Sequence, residues 1–155
     1  MQRFDVPQLC WFGRKSLMLE FPDDWRVGYC PMKGYDAKPL HRDEISEALS
    51  RPIGSKTLRE FAEGKKEVAI IFDDLTRPTR VYEIIPFVLG ELRSHGISSD
   101  HVRFICALGA HGALYRYDFV KKLGEDIVSE YPVYNHNPFH NVTEVGKTSR
   151  GTPVI

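Results

Sequence analysis

Four short polar clusters carry most of the chemistry available to this chain. They are Asp74-Leu75-Thr76-Arg77-Pro78-Thr79, Gly109-Ala110-His111, Asn135-His136-Asn137 and Gly146-Lys147-Thr148. The planar guanidinium of Arg77 suits two-point binding of a carboxylate or phosphate, and Pro78 keeps the residue before it extended rather than helical. Asp74, three residues earlier, is placed to pin that guanidinium. His111 and His136 carry the side chain whose ordinary pKa lies nearest neutrality. Two imidazoles on opposite sides of a substrate carbon can exchange protons on either face, which suits racemisation or epimerisation.

Each signal has a blander counterpart. Asp74 can serve only to cap the helix that follows, with Arg77 paired to it at the surface, and either histidine can be a loop or core residue hydrogen-bonded to backbone. What favours the functional reading is the coincidence of these residues at three successive strand ends. A metal held by His136 and His140 is disfavoured, because Pro138 between them breaks the helical spacing such a pair needs. Gly146-Lys147-Thr148 is no phosphate loop either: the first glycine of that pattern is replaced by Asn141.

The elements that must position these residues are visible in the hydrophobic pattern. Val68-Ala69-Ile70-Ile71-Phe72 is apolar throughout and predicts a strand covered on both faces, ending in Asp73-Asp74. Val81, Ile84, Ile85, Val88, Leu89 and Leu92 form a helical stripe closed by Gly96, within which Pro86 predicts a kink or a lost hydrogen bond. A second buried strand is expected over Val102 to Leu108. Helix follows from Arg116 to Leu123 with Gly124 as terminator and an extra turn towards Tyr131, then a third strand from Val133 to Asn135. Strand, helix and strand at this spacing are βαβ units, so ligands are expected outside the carboxyl ends of the strands.

Upstream, residues 8–31 read as a β-hairpin in which Leu17, Leu19 and Phe21 alternate, then Trp25, Val27 and Tyr29, split by Pro22-Asp23-Asp24. Residues 32–42 read as a loop. Two short helices are expected: Glu44 to Ser50 capped by Asp43, and Ser55 to Ala62 capped by Ser55, ended by Gly64 and burying Leu58 and Phe61. The fold class is α/β, with a parallel, Rossmann-like sheet and a more irregular N-terminal segment containing the hairpin.

At 155 residues the chain is expected to form one α/β domain spanning 1–155. Its 42% hydrophobic and 27% charged residues exclude disordered and fibrous classes. Twenty-one basic residues balance twenty-one acidic ones, so no global field draws the chain to nucleic acid or an anionic membrane. No apolar run approaches the roughly 18 residues of a membrane span, and a cytoplasmic protein is expected. The three cysteines, Cys10, Cys30 and Cys106, show no disulfide spacing and are expected to be reduced, with Cys106 buried as filler. The final Gly-Thr-Pro-Val-Ile has the look of a turn entering a strand.

Taken together, the four motifs, the last of them extended through Ser149-Arg150-Gly151-Thr152-Pro153, resemble the N-terminal domain of the nickel-dependent lactate racemase family. The likeness runs in order and spacing from about residue 68 to the end. It implies a two-domain enzyme around a tethered nickel-pincer nucleotide, nickel pyridinium bisthiocarboxylate mononucleotide. It further implies a small 2-hydroxy acid, lactate or a relative, oxidised by hydride transfer to that cofactor and reduced on the other face. By the same likeness Asp74, Thr76 and Arg77 bind substrate, with Arg77 on its carboxylate, and His111 and His136 are the paired acid and base. Lys147 is the residue of covalent attachment, with Thr148 and Gly151 shaping its turn.

Three features depart from the family pattern. Gly112 stands where an arginine commonly follows the first histidine, and Asn137 where an aspartate often follows the second, so the acid accepted need not be lactate itself. In the family the nickel-ligating histidine and the second domain lie beyond the attachment lysine. No metal ligand is therefore expected within this chain, whose partners would be the 2-hydroxy acid and the missing C-terminal domain, and the fragment alone is expected to be inactive and without cofactor. The alternative from another class is a non-catalytic α/β domain that binds a small anion or nucleotide through the same loops.

Overall fold

In the computed structural model, which describes residues 1–8, 11, 15–34 and 37–155, the chain divides into two compact units, Met1–His41 and Arg42–Ile155. Cys10, with part of the expected hairpin and loop, lies outside the described residues.

The first unit does contain a hairpin, but with a different partner strand. β1 (Gln2–Pro7) pairs antiparallel with β2 (Ser16–Phe21), so that Phe4 faces Leu19 and Val6 faces Leu17. Arg3 forms an ion pair with Glu20 at 2.7 Å across the same register. The expected second strand, Trp25 to Tyr29, has no strand pairing. The Pro22-Asp23-Asp24 turn does form, with the Trp25 N–H donating to the Pro22 carbonyl at 3.2 Å. Beyond it, the side-chain amide of Gln2 donates to the Trp25 carbonyl at 2.7 Å. The N-terminal strand prevails because it matches β2 on both faces, in alternation and in charge, and each such cross-strand pair is worth about 0.2–1 kcal/mol.

The second unit is built on three parallel strands in the order β3 (Val68–Asp73), β4 (Val102–Ala107) and β5 (Val133–Asn135). The register sets Phe72 beside Cys106 and Cys106 beside Asn135, so the carboxyl ends of all three strands finish on one line. α3 (Val81–Ser94) links β3 to β4, while α4 (Arg116–Leu123) and α5 (Glu125–Glu130) link β4 to β5. Gly124, at φ 95°, ends one helix and starts the next, a conformation that glycine tolerates and other residues avoid. Pro86 lies inside α3, which runs unbroken around it on an exposed position, while Val81, Ile85, Leu89 and Leu92 face the core.

At the centre, the fully buried Phe104 meets Phe72 and Tyr131 edge-on at ring-centroid distances of 6.4 and 5.5 Å. Leu92, Leu123, Cys106 and the one charged member, Lys122, are the other most enclosed side chains among the described residues. Burial drives the Cys106 thiol up to about 11, with the nearby Asp74 charge adding to the effect, so it stays protonated and unreactive at neutral pH.

Three local expectations are corrected. β3 is covered on one face only: its burial alternates, and Ile71 is 69% exposed on the side away from the core. An all-apolar run cannot say whether both faces find a neighbour. α1 (Arg42–Ser50) begins early enough to take Asp43 into its first turn rather than at the cap. α2 (Leu58–Ala62) is capped by Thr57, not Ser55, because Glu60 three residues on completes a capping box with Thr57, its carboxylate accepting the Thr57 N–H at 2.7 Å. The shorter helix buries Ala62, with Leu58 half-buried and Phe61 exposed. Among the described residues no helix is long and apolar enough to cross a membrane.

Phe104→Ala leaves a cavity that Phe72 and Tyr131 cannot close, and is expected to cost about 3–5 kcal/mol. Urea denaturation of the variant beside the wild-type chain measures it.

Candidate functional site

Because the three parallel strands end together, the loops after them open onto the same edge of the sheet. After β3 the chain turns sharply, the Arg77 N–H donating to the Asp74 carbonyl at 3.2 Å. Asp74 is only 5% exposed and its carboxylate is surrounded by donors. Oδ1 accepts the Thr76 N–H at 2.9 Å and the Thr76 hydroxyl at 2.5 Å. Oδ2 lies 2.5 Å from His111 Nδ1.

Burial pushes the Asp74 carboxyl up, and the hydrogen bonds from Thr76 and His111 outweigh it, holding the group below the usual carboxylate range. An ionised carboxylate only accepts, so the proton of this contact sits on His111 Nδ1 and leaves Nε2 as the basic nitrogen. Asp74 therefore acts on His111, and the expectation that it pins the Arg77 guanidinium is replaced by a relay: Arg77 donates to the Thr76 hydroxyl oxygen at 3.2 Å, and Thr76 donates to Asp74. Nor does Asp74 cap the following helix, whose cap position is Arg80.

Asp74, Thr76, Arg77 and His111 line one cavity of about 340 Å³. A second, of about 360 Å³, is lined by His111, His136, Ala113 and Phe139. His111 borders both, so it stands between the arginine on one side and the second histidine on the other. The His136 N–H donates to the Cys106 carbonyl at 3.0 Å, which carries the β4–β5 pairing one residue past the strand and brings that imidazole to the shared edge. Arg77 and His136 line different cavities, and His111 is the residue common to both.

Sequence reasoning placed Asn135 in a motif at the end of the third strand and gave it no role of its own. Its side-chain oxygen accepts the Leu114 N–H at 3.1 Å and its amide donates to the Leu114 carbonyl at 2.9 Å. This two-point grip closes the loop that carries His111. The signal was an amide at the last position of a strand, next to a histidine, where a side chain can imitate a strand pairing.

Both local departures from the family pattern prove compatible with the loop shapes. Asn137 accepts the Phe139 N–H at 2.9 Å, a turn an aspartate would make equally well. At Gly112 an added Cβ would meet nothing within 4 Å.

Lys147 and Thr148 line neither cavity. Gly146–Lys147 (β6) pairs antiparallel with Pro153–Val154 (β7), and all four residues are exposed. The Thr148 N–H donates to the Thr152 carbonyl at 2.9 Å, and Thr148 Oγ1 accepts the Thr152 N–H at 3.2 Å, which closes the turn tightly. The stretch is thus a hairpin, not a loop into a helix, as a phosphate cradle would require. Among the described residues, no three histidine, cysteine or acidic side chains gather as a metal site.

The lactate racemase N-terminal domain family matches residues 12–155 of the chain. The lactate racemase of Thermoanaerobacterium thermosaccharolyticum is 30% identical over 97% of this chain and 35% of its own length. That of Lactiplantibacillus plantarum is 36% identical over 88% of this chain and 31% of its own. The solved lactate racemase apoprotein from Thermoanaerobacterium thermosaccharolyticum superposes over 98% of this chain with a TM-score of 0.72 at 28% identity, covering 34% of that structure. The chain thus spans about a third of the length of the curated relatives it matches.

Two predictions concern the site's scaffold. A carboxyl held low in the folded state stabilises the fold above its unfolded value of about 3.9, and that contribution is lost as pH falls through the lower folded value. Asp74→Asn is therefore expected to lower the melting temperature at pH 7, with the gap to wild type narrowing as the pH falls below about 4, as thermal melts across pH 2–7 would record. Asn135→Ala frees both Leu114 backbone groups, at an expected cost of about 1–3 kcal/mol. Hydrogen exchange should show the Leu114 amide losing protection while the β3 amides keep theirs.

Proposed function

The chain belongs to the lactate racemase N-terminal domain family, and from that premise we propose that it supplies one wall of the catalytic cleft of a 2-hydroxy-acid racemase or epimerase. The observation that carries this reading is the buried, ionised Asp74 bound to His111 Nδ1 at the edge of a cavity that Arg77 also lines. It leaves a basic imidazole nitrogen beside a group that recognises carboxylates, the pairing that a 2-hydroxy acid needs.

In this reading Arg77 holds the substrate carboxylate and fixes the position of C2. His111 Nε2 takes the hydroxyl proton as the C2–O bond gains double-bond character, and Asp74 stabilises the imidazolium so formed. His136, from the next strand end, does the same for the opposite antipode. Inversion therefore passes a proton across the site: His111 ends the turnover protonated, while His136, which enters it protonated, gives its proton to the restored hydroxyl. The enzyme is then set for the opposite antipode or is reset by proton exchange with water. The relay through Thr76 links the carboxylate-binding arm to the buried Asp74 and so to the base.

The proton chemistry leaves a hydride to be moved. The nickel-pincer nucleotide, when bound, would supply that acceptor and donor. Lys147 fits its attachment: a primary amine on an exposed residue of a closed hairpin, reachable by a bulky group. The metal's own protein ligands would come from the rest of a longer protein, as would the opposite wall of the cleft. Lactate or a related acid, including a sugar acid, is the substrate class.

The test uses the full-length protein made beside the enzymes that synthesise the cofactor. Mass spectrometry is expected to find Lys147 modified and elemental analysis to find nickel near one equivalent. His111→Ala is expected to lower turnover by about 10²–10⁴-fold, the usual range for a general base. An unmodified Lys147 without nickel removes the tethered-cofactor reading, and unchanged turnover in His111→Ala favours the anion-binding alternative.

A further inference from the structure

α4 turns a lysine into the core. Phe119 and Leu123 on the same helix are buried hydrophobics, as its amphipathic pattern requires, yet Lys122 between them is 0% exposed, while its neighbour Lys121 lies in solvent. An ammonium taken out of water costs free energy that an apolar side chain of similar length would not, so its presence calls for a compensating task. Its contacts show where that task lies. Nζ donates to the Arg77 carbonyl at 2.9 Å and forms an ion pair with Asp73 Oδ1 at 3.0 Å. Both partners belong to the end of β3 and the turn that follows it, Arg77 lying 45 residues earlier in the chain and Asp73 further back still.

We propose that Lys122 is a positioning residue for Arg77, setting the direction in which the guanidinium enters the cavity. The proposal rests on Arg77 binding the substrate carboxylate, as above, and adds how that arm is aimed. The backbone of Arg77 is held on both sides: its N–H by the Asp74 carbonyl at 3.2 Å, its C=O by Lys122. A residue fixed at both backbone polar groups has little freedom to swing its Cα–Cβ bond, so the long side chain starts from one place. The three donors of an ammonium also let one Nζ serve a carbonyl and a carboxylate together, which a methionine cannot do. The ion pair with Asp73 balances one of the two adjacent carboxylates at the strand end, while Asp74 is left to Thr76 and His111.

Steady-state kinetics of the full-length, cofactor-loaded protein tests this with Lys122→Met, Arg77→Ala and the double variant. The expected result is that Lys122→Met raises KM about fivefold or more with kcat changed by less than about threefold, and that it raises KM no further in the Arg77→Ala background, since the residue it aims is gone. A smaller rise, or a rise that multiplies that of Arg77→Ala, overturns the proposal, because a lysine that only stabilises the fold would act independently of Arg77. If Lys122→Met does not accumulate as folded protein, Lys122→Gln, which retains N–H donors, decides: about a twofold or larger rise that vanishes in the Arg77→Ala background supports the role, and a wild-type KM overturns it. An Arg77→Ala variant with unchanged KM instead refutes the carboxylate reading itself, which keeps the two failures apart.

Discussion

A carboxylate removed from water must find donors to replace the water it lost, and at Asp74 that requirement organises the whole edge of the sheet. Two of its donors are local, from Thr76, and the third is His111, 37 residues away. The distant donor can reach only if β3 and β4 run parallel in the observed register, Asp73 beside Ala107, so that their loops leave side by side. That register depends in turn on Phe72, Phe104 and Cys106 sharing one buried face beneath α3 and α4. Core, register and site are therefore links of one chain of constraint, and the burial of a single charge tests them all.

The same edge shows how the site's polar groups are linked to one another around the buried Asp74. Arg77 touches Thr76, Thr76 touches Asp74, and Asp74 touches His111. Asn135 grips the far side of the His111 loop at Leu114, and Lys122 grips the near side of the Arg77 turn. Hydrogen bonds to charged groups are worth roughly twice neutral ones, and those made in a buried setting are the stronger for it. A cleft wall assembled this way is stiff before any ligand arrives, which is what orientation of a small acid demands. The hairpin bearing Lys147 is held by a different means, backbone pairing and a closed turn, and lines neither of these cavities.

Much of this was legible from residue order. The boundaries of β3, β4, α3, α4 and β5 follow from apolar periodicity and from glycines that must end helices, and the grouping of Asp74, Thr76, Arg77, His111 and His136 follows from the rule that parallel strands present their ligands at carboxyl ends. What misled was local and has local causes. Trp25 to Tyr29 alternate as a strand does, but β2 had a better-matched neighbour in Gln2–Pro7, whose partner is fixed by pairing rather than by pattern. Ser55 is a fair cap, but Thr57 has Glu60 at the reciprocal position. Ile71 is as apolar as Ile70, yet lies on the open face of the sheet.

The sequence by itself determined the α/β class, the order of the elements and which residue types stand at the strand ends, because periodicity, capping and turn chemistry act over a few residues and can be read there. Only the tertiary structure decided what those residues do to one another. That Asp74 serves His111 instead of Arg77, that Asn135 is a clamp and that Lys122 reaches the Arg77 carbonyl are contacts across 21 to 45 positions. Such partners are chosen by strand register and by which side of a helix meets the core, quantities that no short stretch of chain contains.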